Sequence, residues 1–384
     1  MAKLKLRELY KISSGGTPLK SNDAYYNGGD IKWVKTGDLK EKYLIDCEEC
    51  ITEVGLKHSS AKMYEPNTVL VAMYGATIGE TSILKIRACT NQACAAFTPT
   101  DKVIPEYLYY FFKSKKERFV KDGVGGAQPN ISAGYLRNVE MDLISISEQH
   151  NIVELFKKTE NIINNRRRQL KKLNQLIKSR FIEMFGLPNN NIKGWDVAVI
   201  GDVASDVSYG TSKSSDKDGN YAYLRMNNIT YNGDLDLRDL KYINLTDAEF
   251  DKYGVKAGDL LFNRTNSRDL VGKTCVYNLS EPMAIAGYII RVRFNKLIKA
   301  EYVSVFLNSQ YGKTFLSSIC KGAVGQANIS AKELKNITIL VPPIELQDEF
   351  IMLKNQVDKS KLAIQKSLDK LEILQKSLMQ QYFG

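Results

Sequence analysis

Six cysteines and two histidines are the residues best suited to hold a metal or act as nucleophiles. Cys47 and Cys50 form a CxxC pair, Cys89 and Cys94 follow, and four thiolates could hold zinc. Against zinc, Cys94 lies in Ala93-Cys94-Ala95-Ala96-Phe97, which reads as a buried strand, and Cys275 and Cys320 also have apolar neighbours. A small buried hydrophobe is the commoner role of a reduced cysteine. His58 and His150 give a metal centre or a catalytic triad little to work with. Gly123-Val124-Gly125-Gly126-Ala127-Gln128 and its twin Gly322-Ala323-Val324-Gly325-Gln326 are glycine-rich, yet neither is followed by the Lys-Ser/Thr of a phosphate loop. Their backbone N–H groups could approach a phosphate, but a tight turn is the simpler role. The Asn/Asp-Pro-Pro-aromatic tetrapeptide of an amino-methyltransferase is absent, and no nuclease-like carboxylate cluster stands out. The residues therefore predict no metal site and no catalytic group on this chain. They predict a binding scaffold.

Charge indicates what is bound. Lys plus Arg is 54 against 43 Asp plus Glu, a formal charge of +11 over 384 residues. That excess suits a polyanion, most simply nucleic acid. At 43% hydrophobic the chain can build a core, so wholesale disorder is excluded. No apolar run approaches the roughly 18 residues of a membrane span. The start, Met1-Ala2-Lys3-Leu4-Lys5, lacks the apolar stretch of a signal peptide, so the expected compartment is the cytoplasm.

The elements that position the binding residues follow from a duplication. Gln128-Pro129-Asn130-Ile131-Ser132-Ala133 recurs 198 positions later as Gln326-Ala327-Asn328-Ile329-Ser330-Ala331. The offset holds without a gap to Phe185-Gly186 and Phe383-Gly384. Upstream, Ile31-Lys32-Trp33-Val34-Lys35 resembles Tyr221-Ala222-Tyr223-Leu224-Arg225. Each copy ends in a long run without Pro or Gly, Ser147 to Phe185 and Glu345 to Phe383. A stripe with spacings of three and four runs from Ile152 and Phe156 to Met184, and another from Phe350 and Leu353 to Tyr382. Helices of this length need a packed partner, and an antiparallel pair of the two is expected. The first is the more basic, with Arg166-Arg167-Arg168 and Lys171-Lys172. The globular parts read as short strands, among them Val69–Met73, Thr81–Leu84 and a single strand Ala284–Val292, with helices near Glu106–Lys121 and Ala300–Ile319. The expected class is α+β, divided as 1–146, a helix 147–186, 187–344 and a helix 345–384.

Two globular units, each followed by a long helix, resemble the specificity subunit of type I restriction–modification enzymes. The matching residues are Ile12-Ser13-Ser14-Gly15-Gly16-Thr17-Pro18, Trp33-Val34-Lys35-Thr36-Gly37-Asp38-Leu39, Gly75-Ala76-Thr77-Ile78-Gly79, Thr90-Asn91-Gln92-Ala93 and the repeated Asn-Ile-Ser. Each is weak alone; their order and the duplication are specific, and the resemblance covers essentially the whole chain. The second copy departs from it, with Tyr209-Gly210-Thr211-Ser212 and Ala286-Gly287 at the corresponding places, so a symmetric target is in doubt.

The resemblance implies two target-recognition domains, each reading one half of a split, asymmetric DNA target, with the helices as an antiparallel coiled coil fixing the gap between halves. It implies double-stranded DNA, two modification (methyltransferase) subunits and restriction (translocase/nuclease) subunits as partners, and no membrane. No cofactor is expected on this chain; S-adenosylmethionine, ATP and Mg belong to the partner subunits. Base readout needs amide, guanidinium and ammonium groups on loops. The candidates are Thr17, Lys20, Lys35, Tyr74, Asn91 and Gln128 in the first unit, and Lys213, Arg225, Asn227, Arg264, Asn266, Arg268 and Gln326 in the second. Two other readings are a specificity module of an orphan DNA methyltransferase and a coiled-coil adaptor that binds protein.

Overall fold

The computed structural model describes residues 2–124, 129–322 and 326–384. The chain forms two compact units, residues 1–167 with 366–384, and residues 168–365. Both contain strands and helices, as the expected α+β class requires.

In the first unit the strands are β1 (Ala2–Lys5), β2 (Ile12–Ser14), β3 (Ile31–Val34), β4 (Tyr43–Leu44), β5 (Cys50–Ile51), β6 (Met63–Tyr64), β7 (Val69–Ala72), β8 (Thr81–Leu84), β9 (Ala88–Thr90), β10 (Cys94–Phe97) and β11 (Glu140–Leu143). One sheet runs β2-β10-β7-β8-β4, a second β5-β3-β9-β6, and β1 pairs with β11. Helices α1 (Leu6–Leu9), α2 (Glu53–Lys57), α3 (Pro105–Asp122) and α4 (Ala133–Asn138) join them, followed by the long α5 (Ile146–Phe185). Strands β7, β8 and β10 are buried on both faces, which is why they read as continuous apolar runs rather than alternating ones. Cys94 is one of those core residues, fully buried, and burial pushes its thiol well above the usual range.

The second unit repeats the plan. Its strands are β12 (Asp196–Val199), β13 (Ala204–Tyr209), β14 (Tyr221–Leu224), β15 (Lys241–Ile243), β16 (Gly254–Val255), β17 (Asp259–Asn263), β18 (Thr265–Asn266), β19 (Thr274–Tyr277), β20 (Met283–Ile285), β21 (Ile289–Phe294), β22 (Ala327–Asn328) and β23 (Thr338–Val341). Sheets β13-β21-β17-β19 and β15-β14-β20-β16 match the two sheets of the first unit, and β12 pairs with β23. The parallel pair β3–β9 recurs as β14–β20. The helices are α6 (Ile200–Val203), α7 (Asp247–Tyr253), α8 (Ala300–Asn308), α9 (Gln310–Ile319), α10 (Ala331–Lys335) and α11 (Ile344–Phe383).

Two expectations need correction. Residues 284–292 are two strands, broken at Ala286-Gly287-Tyr288, because Ala286 leaves β20 to bridge Thr211 and Gly287 N–H donates to Thr211 O at 2.8 Å. The apolar run hides this turn, since its residues stay buried on either side. The helix read over 300–319 is likewise two helices. Ser309 caps α9 by accepting from Gly312 N–H at 3.0 Å, and a Cβ at Gly312 would come within 2.4 Å of Phe306 O. The chain must therefore turn there.

Each unit also contains an antiparallel piece of the helix pair. In the first, Phe156 near the start of α5 stacks on Phe383 at the end of α11, with ring centroids 6.0 Å apart, and Arg167 pairs with Glu372 at 2.7 Å. In the second, Phe181 and Phe185 at the end of α5 pack edge-on against Phe350 near the start of α11, at 5.4 and 5.5 Å. Of the residues that open the two expected stripes, Ile152, Phe156 and Phe350 are buried, and Ile163, Val357 and Leu368 further along them are buried too. The stripes pass over Phe181, Phe185 and Phe383, which are also buried, at the C-terminal ends of the two helices. These face the globular core: Phe383 lies 5.1 Å from Tyr107 and Phe185 4.9 Å from Tyr302.

The first turn of each long helix is fixed by a fully buried glutamine. Gln149 accepts from Ile104 N–H and donates to the carbonyls of Lys102 and Ile144. Gln347 accepts from Lys299 N–H and donates to those of Leu297 and Pro342. The two glutamines stand at the repeat offset, so the duplication carries the joint between helix and domain as well as the elements. Among the described residues no helix is long and apolar enough to cross a membrane.

Candidate nucleic-acid interface

The same local frame is built in both units, at the exit of the parallel strand pair. In the first unit Trp33 of β3 donates its indole N–H to Gly16 O at 3.0 Å. In the second, Tyr223 of β14 donates its hydroxyl to Thr211 O at 2.9 Å. An aromatic with a polar tip thus holds the Gly-Thr loop in each unit. The loop then presses on the neighbouring strand: a Cβ at Gly15 would lie 1.8 Å from Thr90 O, and one at Gly210 2.2 Å from Ile285 O. Only glycine allows that approach. The strand exits Lys35 and Arg225 therefore stand at equivalent places.

What lines this frame differs between the units. In the second, Lys213, Arg225, Asn227 and Arg264 line one cleft of ≈ 440 Å³, together with Tyr288 and the Ala286–Gly287 turn. Four of the seven residues expected there come together. Arg225 donates to the Asp239 carboxylate at 2.8 Å and to Asp239 O at 2.9 Å. Lys213 pairs with Glu249 at 2.6 Å, which holds that carboxyl below its usual range, first through the hydrogen bond. Arg264 lies over the Tyr209 ring, 4.8 Å from its centroid, and its Nη1 donates to Gly287 O at 3.4 Å. The Nε atoms of Arg225 and Arg264 are both buried without a hydrogen-bond partner. A buried donor left unbonded is costly, and here two guanidiniums with spare donors share one cleft. Asn227 is exposed in the short 3-10 turn that follows Arg225.

The other three candidates of this unit lie apart from that cleft. Asn266 pairs with Ala327 in the short β18–β22 ladder, and its Oδ1 accepts from Ser267 N–H at 2.9 Å. Gln326 is exposed beside the same ladder. Arg268 is exposed and lines a separate cleft with Lys273 and Lys313. The polar run 263–268 thus divides: Asn263 is buried, Arg264 enters the first cleft, and Arg268 enters the second.

In the first unit the candidates are more committed to one another. Thr17 donates to the Gln92 side chain, and Lys35 is tied to the Glu49 carboxylate, whose hydrogen bond leads in raising the lysine above its usual range. Asn91 closes a turn by accepting from Ala93 N–H at 3.2 Å, while its own N–H donates to Val34 O. Lys20 is exposed in a loop. Tyr74 is 43% exposed and bridges Asn130, which places it beside the Asn-Ile-Ser segment. Gln128 lies outside the described residues, as do 125–127 and 323–325 of the two glycine-rich loops.

Sequence reasoning missed Tyr209, which holds Arg264 from below and accepts from Ala331 N–H at 2.8 Å. It also missed Lys273, a residue 8% exposed whose ammonium donates to Met226 O, the carbonyl between Arg225 and Asn227. Tyr209 opens the Tyr209-Gly210-Thr211-Ser212 segment that the resemblance marks, whereas Lys273 had no sequence signal beyond its residue type. Among the described residues no group of three or more His, Cys, Asp or Glu side chains is placed to hold a metal ion.

Comparison with known proteins matches this architecture. The family model described as the type I restriction modification DNA specificity domain matches residues 1–175 and again 192–375. The MjaIX type I restriction enzyme specificity subunit of Methanocaldococcus jannaschii is 31% identical over 219 residues, covering 52% of this chain and 50% of that protein. The EcoR124I/EcoR124II specificity subunit of Escherichia coli is 26% identical over 164 residues, 41% of each chain. This chain thus spans about half the length, or less, of these curated relatives in the matched regions. A chain from a structure of a type I R-M system superposes with a TM-score of 0.66 at 18% identity, covering 100% of this chain and 97% of that one. The S subunit of the type I system of M. genitalium superposes with a TM-score of 0.58 at 14% identity, covering 100% and 96%. At such identities the likeness is one of fold.

Proposed function

Since the chain belongs to the family of type I restriction modification DNA specificity domains, we propose that it is a non-catalytic subunit that reads a bipartite, asymmetric DNA sequence, one unit per half. The observation that carries this reading is the repeated frame with unlike linings. Trp33 and Tyr223 hold equivalent loops, yet one frame presents Thr17, Lys35 and Asn91 while the other presents Lys213, Arg225 and Arg264. One scaffold with two sets of side chains suits two different half-sites. Guanidiniums suit the O6 and N7 acceptors of guanine in the major groove, and surrounding phosphates would supply most of the affinity.

The partners under this reading are two modification subunits, which bring S-adenosylmethionine to methylate adenine, and restriction subunits, which bring ATP and Mg. The helix pair is their dock and the ruler between half-sites, and the compartment is the cytoplasm. The test is a genome-wide map of methylated adenines in the source cells, with and without the gene. Loss of one gapped, asymmetric motif is the expected result. An unchanged map, together with duplex binding by the purified chain that is insensitive to salt, would leave a protein-binding adaptor instead.

A further inference from the structure

Away from the Arg225–Arg264 cleft, the second unit gathers cations that lack counter-charges. Lys273, Lys313 and Arg268 line a cleft of ≈ 540 Å³, and Lys313 with Lys178 of α5 lines an adjoining one that shares Tyr231. Lys354 and Lys361 on α11 are accounted for, since both pair with Asp358 at 2.6 and 3.1 Å. Among the described residues, none of Lys178, Lys273, Lys313 and Arg268 has a carboxylate within 4.0 Å, although Asp234 and Asp269 also line these clefts.

The arrangement is costly as it stands. Lys273 is 8% exposed, and its ammonium has three donors but makes its bond to one carbonyl, Met226 O, at 2.9 Å. A buried cation without an anion is costly to desolvate. Lys313 donates to Tyr231 O at 2.7 Å and lies against the face of that ring. Burial, and then the positive charges of Lys178 and Lys273, push its amine down to about 8. Lys273 and Lys313 thus share the larger cleft with Arg268, and Lys178 lines the adjoining one with Lys313, so positive charge accumulates along both. Thr314 and Ser317, one turn apart on α9, add hydroxyl groups to the same wall.

From this excess of positive charge we infer that Lys273, Lys313 and Arg268 form a phosphate-binding site distinct from the proposed base-reading cleft, with Lys178 adding its charge from the adjoining cleft. A tetrahedral oxyanion there would neutralise the cluster and take up the spare donors of Lys273. Such a phosphate has two sources, a free phosphate ion or a phosphodiester of bound duplex DNA, and only the second rests on the proposed function.

The experiment follows the amine of Lys313 in the intact full-length chain. A limiting amount of an acylating reagent labels accessible neutral amines, and mass spectrometry reads the rate at Lys313. Shielding by inorganic phosphate, beyond that of chloride at matched ionic strength, assigns a free-phosphate site, and it would stand even if the chain bound no DNA. Shielding by duplex DNA but not by inorganic phosphate assigns a backbone phosphate. In that case Lys313→Met lowers the slope of log affinity against log salt by about one, with sequence discrimination kept and Lys313→Arg restoring the slope. Equal labelling with and without both probes overturns the site. An unchanged salt slope in a folded Lys313→Met chain overturns the backbone assignment.

Discussion

At the scale of single residues, the proposed reading of DNA by the second unit depends on how a guanidinium is held. Arg264 rests on Tyr209, and Tyr209 is itself tied to the start of α10 through Ala331 N–H. Arg264→Ala should weaken recognition at one half-site only, by about 1–3 kcal/mol, measured by competition between duplexes altered in one half. A uniform loss over all sequences, with a shallower salt slope, would instead make Arg264 a phosphate contact. Tyr209→Phe keeps the ring and loses the acceptor, so it should retain more discrimination than Tyr209→Ala; equal losses would separate Tyr209 from Arg264. Lys313 gives a pH prediction. Its folded-state value of about 8 lies below the ordinary 10.5, so between these values the unfolded chain binds more protons than the folded one. Stability should therefore gain from this group as pH rises from about 8 to 10.5. The difference between the parent and Lys313→Met in denaturant midpoint should change across that window, and a flat difference would contradict the burial argument.

At the scale of elements, the joints between long helix and domain are the sensitive points. Gln149 and Gln347 each satisfy three backbone groups in a fully buried setting. Replacing either by Leu keeps the volume but orphans those groups, at about 1–3 kcal/mol apiece before relaxation. Urea titration should show a clear loss for each variant, and a loss below ~0.5 kcal/mol would mean that water replaces the amide. The helices themselves are 40 residues each, about 60 Å at 1.5 Å per residue. If they set the gap in the target, four residues added to each should lengthen it by nearly two base pairs. The spacing of the methylated motif reads this directly, and an unchanged gap removes the ruler. These helices were legible because no Pro or Gly interrupts them and their stripes persist. The turn at Ala286–Tyr288 was not, since a bridge to the distant Thr211 forces it, and the break at Ser309 rests on a single serine cap and a glycine inside a run that otherwise reads as helix.

At the scale of the whole molecule, the chain is one plan used twice, with α5 and α11 each contributing to both units. If each unit reads its own half-site, exchanging residues 187–344 for those of another family member should change one half of the methylated motif and leave the other. Changes in both halves would show that the units do not read independently. The duplication, the α+β character, the two long helices and the basic charge were all set by the sequence itself, because periodicity, helix breakers and the repeat offset are local or linear properties. The candidate residues were legible only as types. Which of them meet was decided by the tertiary structure: Arg225 and Arg264 are 39 positions apart in sequence and share a cleft, while Arg264 and Arg268 are one helical turn's worth of residues apart and do not. Strand pairing brings distant loops together and sends alternate side chains to opposite faces. Burial without a counter-charge, as at Lys273, likewise exists only once the chain has folded around it.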